Sequence, residues 1–177
     1  DIQSHIVEFR NGEGGKHVLH MDKITQLLLD KIVQKTDKYP SLWQERSLIR
    51  TASALHDIGK VGIDEAILNK PGRLTAEEFE SMKAHTTIGA DMLRNLPRYR
   101  EERLLQIAIE ICRWHHERYD GKGYPDGLVG DEIPISAQLV SIADVYDALT
   151  SERVYKKAFS HEKAMQMIRE GECGAFN

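Results

Sequence analysis

Apolar residues recur at intervals of three and four along most of the chain, the spacing that lines one face of an α-helix. Residues 16–35 carry Val18, Met21, Ile24, Leu27, Leu28, Ile32 and Val33 in this pattern, and the stretch 37–40 breaks it. Ser41 with Gln44 three residues on has the form of a capping box. It opens a helix expected over 42–57, with Leu48, Ile49, Ala52 and Leu55 inward. Gly59 and Gly62 begin a loop that runs through Lys70-Pro71-Gly72. Thr75 with Glu78 is a second capping box, starting a helix over 75–96 that Pro97 ends. The next helix covers 101–117, with Leu104, Leu105, Ile107, Ala108, Ile111 and Cys112 as core positions. A long loop over 118–134 is dense in glycine, proline and aspartate, and a loop of that length inside a compact helical domain usually serves function. Helices over 136–150 and 160–170 close the chain, the last ending at Gly171. No convincing strand pair stands out. The pattern predicts an all-α fold with one long loop between helices.

Composition narrows the function. The 177 residues suffice for one domain with a real core. A formal charge of −4 argues against a general binder of DNA, RNA polymers or anionic membranes. An anionic substrate would therefore need local positive charge, from metal ions or a few placed basic residues. No apolar run is long enough to span a bilayer, so this domain is not expected to insert in a membrane. The two cysteines, Cys112 and Cys173, suggest no disulfide framework and favour a reducing, cytoplasmic setting. The chain starts at Asp1 and reads as an excised piece of a longer protein, with 1–12 a lead-in or linker and 13–177 the domain.

The candidate chemistry centres on His56-Asp57-Ile58-Gly59-Lys60. Imidazole and carboxylate both ligate divalent metals, and the two oxygens of Asp57 could bridge a pair of ions. Taken alone, such a pair is more often a hydrogen-bonded helix end than a metal site. Further residues change the weighting. His115 and His116 are adjacent where an apolar helix enters the glycine-rich loop, and His85 lies within the 75–96 helix. His17 opens the first helix, with Glu13 four residues before it. Asp144 interrupts the apolar run 139–146, and a core-facing carboxylate requires a cation or a strong donor. His20 and His161 read as exposed. Asp147, one turn beyond Asp144, is either a helix-surface charge or a partner that orients a ligand. One polynuclear metal site accounts for these placements with a single cause.

The motifs occur in an order that resembles the HD-GYP family, the bacterial branch of the HD phosphohydrolases. The matching stretches are His56-Asp57-Ile58-Gly59-Lys60, Lys70-Pro71-Gly72, Met82-Lys83-Ala84-His85-Thr86, and His115-His116-Glu117-Arg118-Tyr119-Asp120-Gly121-Lys122-Gly123-Tyr124-Pro125. Ala143-Asp144-Val145-Tyr146-Asp147-Ala148-Leu149-Thr150 follows in the family's order. The resemblance covers nearly all of 13–177. It implies a helical bundle holding two or three divalent ions, usually iron or manganese, and hydrolysis of the second messenger cyclic di-GMP to pGpG, GMP or both. Three ions are expected, because Glu13 and His17, about one helical turn apart, are left over from a two-metal set.

Carried over residue by residue, the resemblance makes His56, Asp57, His85, His115, His116 and Asp144 the ligands of a two-metal core. Glu13 and His17 match the additional ligands of three-metal members. Lys60 matches a lysine on the reacting phosphate, and Tyr124, Arg153 and Lys156 match groups that hold the nucleotide. Asp57 and Lys60 are thus the expected catalytic pair, with a hydroxide shared by the ions attacking the phosphodiester in line. The sequence departs from the family's commonest pattern at Leu19-His20 and at Val154, and neither position is a proposed ligand. The resemblance also implies a further C-terminal helix beyond residue 177, a fused sensory or receiver domain, a dimer as one assembly, and membrane tethering of a full-length protein as one arrangement. Two rivals stay open. One is a non-catalytic cyclic di-GMP receptor, and the other an HD hydrolase acting on another nucleotide or cyclic dinucleotide.

Overall fold

A computed structural model describes residues 16–152 and 157–177. Among the described residues the α-helices are, in chain order, α1 (Lys16–Lys35), α2 (Leu42–Ser53), α3 (Glu65–Leu68), α4 (Ala76–Lys83), α5 (His85–Arg94), α6 (Arg103–Trp114), α7 (Ile135–Thr150) and α8 (His161–Arg169). Short 3-10 turns lie at Ile58–Gly62, Pro97–Tyr99 and Gly130–Glu132. Among the described residues the nearest approach to a sheet is one isolated antiparallel bridge, Asp120 to Val129, inside the long loop. The all-α reading holds. Among the described residues no helix is long and apolar enough to cross a membrane.

Helix α6 is the axis of the bundle. It packs against α2, α5 and α7, while α1 closes the ring by packing on α2 and α7. The reason lies in its sequence: Leu105, Ile107, Ala108, Ile111 and Cys112 are all buried, so two adjacent faces are apolar. They meet Met21 and Leu29 of α1, Leu42, Ile49 and Ala52 of α2, Ala90 and Leu93 of α5, and Leu139, Val140 and Ala143 of α7. Burying one such Leu or Ile side chain is worth about 1.5–3 kcal/mol.

Several boundaries shift from expectation. The helix expected over 42–57 stops at Ser53, and residues 54–62 continue as turns and a 3-10 helix. That break turns the chain at the His-Asp pair. The helix expected over 75–96 is two helices separated at Ala84, immediately before His85. Helix α6 ends at Trp114, so His115 sits at its C-cap and His116 beyond it. Thr75 and Glu78 form the expected capping box, whereas Ser41 has helical backbone angles and makes no side-chain cap bond. Leu27, expected inward, is exposed, and Leu29 takes the core position. The 3.6-residue period cannot separate two neighbouring leucines at the edge of an apolar stripe; the position of the packed neighbour decides it.

Candidate metal centre

Five elements bring their chemistry to one point: α1 with His17, the turn after α2 with His56 and Asp57, the start of α5 with His85, the end of α6 with His115 and His116, and the middle of α7 with Asp144. Close backbone approach makes this possible. A Cβ on Gly59 would sit 1.9 Å from the His85 carbonyl oxygen and 2.5 Å from the Gly89 nitrogen, so only glycine lets the His-Asp turn lie against α5.

The side chains form two groups that share Asp57. Asp57, His85, His115 and His116 are one set of potential ligands, and His17, His56 and Asp57 are the other. The carboxylate is split between them. Its Oδ1 faces His85 Nε2 at 3.3 Å and His115 Nε2 at 3.8 Å, and its Oδ2 faces His56 Nε2 at 3.3 Å. Asp144 Oδ1 stands on the second side, 3.8 Å from His17 Nε2 and 4.0 Å from His56 Nε2. Lys60 Nζ lies 2.6 Å from Asp57 Oδ2, one 3-10 turn along.

Each central imidazole is oriented by its other nitrogen. His56 Nδ1 donates to the Ser53 carbonyl at 2.7 Å, His85 Nδ1 to the Met82 carbonyl at 2.7 Å, and His115 Nδ1 to the Ile111 carbonyl at 2.9 Å. His17 Nδ1 donates to Asp147 Oδ2 at 2.7 Å. A carbonyl oxygen only accepts, so these rings carry a proton on Nδ1 and turn Nε2 inward, where His85 and His115 present bare lone pairs. The Nε2 atoms then approach one another, at 3.4 Å for His17 and His56 and 3.5 Å for His85 and His115. The lone pairs of His85 and His115 repel unless a cation lies between them, whereas the proton that His56 holds without an ion bridges to His17. Asp57 Oδ1 is a buried acceptor with no hydrogen-bond donor among the described residues. Orphaned acceptors of this kind require an explanation, and a divalent ion supplies it. A mixed imidazole and carboxylate set suits first-row transition metals, so the residues fit the metal centre.

Electrostatics differ between the two sides. Burial pushes His85 down, and it pushes His115 well below its ordinary value, with His116 and His56 adding repulsion. His116 falls to about 4, through burial and then the neighbouring His85. Burial also opposes the charged form of His56, but the Asp57 and Asp144 carboxylates outweigh it and raise the ring to about 9. Burial disfavours the Asp57 anion too, yet Lys60, His56 and His85 hold its carboxyl well below the usual range.

Asp147 proves to be the orienting partner. It is buried, accepts from both His17 and His20, the latter at 2.7 Å, and takes a further bond from the Ser151 hydroxyl at 2.9 Å. His20 is half-exposed as expected, but its Nδ1 is committed to this carboxylate. Glu117 is a positioning residue that spacing did not reveal. Its buried carboxylate accepts from the backbone N–H groups of Asp126 at 2.7 Å, Gly127 at 3.0 Å and Leu128 at 3.0 Å. The loop is thereby folded back onto the end of α6. Gly123 allows the contact, since a Cβ there would meet the Arg118 nitrogen at 2.3 Å. Tyr124 consequently stacks on His116, with ring centres 4.9 Å apart and planes 25° apart. An acid directly after the His-His pair and before a glycine-rich loop was the only available signal for Glu117. Glu13, Arg153 and Lys156 lie outside the described residues.

The chain matches the HD domain family over residues 13–173. A protein of Vibrio cholerae serotype O1 named cyclic di-GMP phosphodiesterase is 44% identical over 171 residues, covering 95% of this chain and 35% of that protein. Another protein of the same organism, named 3'3'-cGAMP-specific phosphodiesterase 2, is 40% identical over 166 residues, covering 92% of this chain and 29% of its own length. The chain thus spans about a third of the curated relatives it matches. Among solved structures, Bd1817, an HDG"Y"P protein from Bdellovibrio bacteriovorus, superimposes with a TM-score of 0.62 at 20% identity, over 91% of this chain and 47% of that one. At that identity the likeness speaks for the fold alone. The chain belongs to the HD domain family, in the HD-GYP branch that its ordered motifs resemble.

Proposed function

We propose that this chain is a metal-dependent phosphodiesterase domain that hydrolyses cyclic di-GMP to pGpG, GMP or both. The observation that carries the reading is the division of Asp57 between two imidazole groups, with one oxygen left as an orphaned acceptor. Relatives named for cyclic di-GMP hydrolysis support the substrate. Asp57 with His85, His115 and His116 would hold one iron or manganese ion, and Asp57 with His56 and Asp144 another, while His17 together with Glu13 would hold a third. Divalent ions bound there supply Lewis acidity toward a phosphoryl oxygen and lower the pKa of water toward neutrality.

The chain's own residues do the rest. Asp57 remains anionic and joins the two groups of ligands. The Lys60 ammonium, beside Asp57, is placed to neutralise charge that develops on the phosphoryl oxygens. Burial, followed by the negative field of Asp57 and Asp144, raises the Tyr124 phenol, so it stays a hydrogen-bond donor. Glu117 holds the Tyr124 loop in place. Arg153 and Lys156, three residues apart, bind the nucleotide's phosphate or base rather than the reacting centre. The setting is cytoplasmic, and a fused sensory or receiver domain controls the full-length protein.

A second reading is favoured by one observation: a relative nearly as similar is named for 3'3'-cGAMP. Protein purified without oxygen, analysed for metals and incubated with each cyclic dinucleotide, separates the readings by product chromatography. The proposal expects bound iron or manganese and linear products from cyclic di-GMP. Binding without turnover would make the chain a receptor, and turnover of 3'3'-cGAMP alone would reassign the substrate.

A further inference from the structure

A row of rings leads outward from the candidate metal centre. Ring centres step 5.1 Å from His85 to His116, 4.9 Å from His116 to Tyr124, and 6.3 Å from Tyr124 to Phe79. Phe79 ends the row on α4 and is 46% exposed, so it serves no core. Lys83, one helical turn along the same face, holds its ammonium 5.0 Å from the centre of the Phe79 ring and 5.4 Å from that of Tyr124. Glu80 Oε1 fixes that ammonium at 2.7 Å. The platform is rigid at its base, because the Thr75–Glu78 capping box and the 2.6 Å contact of Lys70 with Glu78 anchor the start of α4. His116 and Tyr124 stack, while His85 meets His116 and Phe79 meets Tyr124 edge-on, so an exposed aromatic face beside a tethered cation lies at the end of a row of rings from a phosphate-directed centre, in the outward order of a nucleotide from phosphate to base.

Resting on the cyclic dinucleotide reading above, we propose that Phe79 and Lys83 form a base-recognition wall that selects guanine over adenine. Phe79 and Tyr124 provide ring surface for a purine, and stacking tolerates either base. Selection comes from Lys83. An ammonium donates and cannot accept. Guanine presents two adjacent acceptors, O6 and N7, whereas adenine pairs the N7 acceptor with an N6 amino donor that an ammonium repels.

Equilibrium binding tests the wall separately from catalysis. The probes are bisphosphorothioate analogues of cyclic di-GMP and cyclic di-AMP, titrated calorimetrically into the metal-loaded full chain. Turnover of ordinary cyclic di-GMP in parallel samples reports on the hydrolase reading alone. The wild-type protein should bind the guanine analogue about tenfold tighter than the adenine one, the size expected of one good base-edge contact. Phe79→Ala should weaken both by about tenfold, as loss of a stacking ring does, and Phe79→Tyr should restore both. Lys83→Met should weaken only the guanine analogue, bringing the two within about twofold. Metal content of each variant checks that it is folded. Unchanged affinities in Phe79→Ala, or an equal loss of both analogues in Lys83→Met, would overturn the proposal whether or not the wild type turns over its substrate.

Discussion

The two halves of the candidate centre share one carboxylate and are otherwise opposites. On the Oδ1 side, His85, His115 and His116 are buried together, and desolvation reinforced by mutual repulsion keeps them neutral. On the Oδ2 side, His56 faces two carboxylates and is raised to about 9 despite its burial. The first half therefore presents bare lone pairs at neutral pH, and a metal ion meets little competition from protons. The second half offers more negative charge, but its imidazole holds a proton that an entering ion must displace. Burial and charge are separate levers, and the same residue type is set to opposite protonation states within a few ångströms.

The strongest way to break this comparison is to remove the residue common to both halves. Asp57→Ala should abolish metal retention and phosphodiesterase activity together, because each group loses a ligand. Full metal content with wild-type turnover in that variant would rule out the shared-carboxylate arrangement. Lys60→Ala tests a group on one side that ligates nothing. It should keep its metals and lose about 10²-fold in kcat, the scale of one electrostatic contact to the transition state. A loss confined to metal content would instead make Lys60 a support for Asp57.

Asp147→Asn touches only the Oδ2 side, through His17. It should weaken metal binding there by about 10–100-fold, as loss of an orienting carboxylate typically does, and leave the His85 group loaded. Equal loss from both halves, read by metal titration or anomalous diffraction, would show that the two are not independent.

The smallest expected effect lies in the pH dependence of the metal-stripped protein. His116 titrates at about 4 when folded, below the ordinary 6.5, so its contribution to stability is complete above pH 6.5 and is lost as pH falls toward 4. His56 titrates at about 9, above the ordinary 6.5, so its contribution is complete below pH 6.5 and is lost as pH rises through 9. Melting temperature should therefore peak near pH 6.5 and fall on both sides. His116→Phe should flatten the acid limb and His56→Gln the alkaline limb. A profile unchanged by either substitution would remove the electrostatic contrast.

Local chemistry was written in the sequence. The periodicity of α1, the Thr75–Glu78 capping box, the apolar faces of α6 and the termination at Gly171 depend on neighbours within a turn or two, so a single stretch suffices to predict them. The ordered motifs also pointed to the residues that converge as potential ligands, because their chemistry is unusual for the places they occupy. Tertiary packing alone decided the rest. The break at Ala84 aims His85 inward, and a helix uninterrupted over 75–96 would satisfy the same hydrophobic pattern. The division of Asp57 between two groups and the role of Asp147 depend on contacts between elements distant in sequence, whereas the carbonyls that orient His56, His85 and His115 lie only three or four residues before each ring. Glu117 shows the limit most clearly. Its carboxylate is indistinguishable in sequence from a solvated charge, and it becomes the anchor of the Tyr124 loop only once three backbone N–H groups are brought around it. Helix periodicity and caps arise from short-range forces, whereas ligand geometry and burial arise from which surfaces the folded bundle brings together.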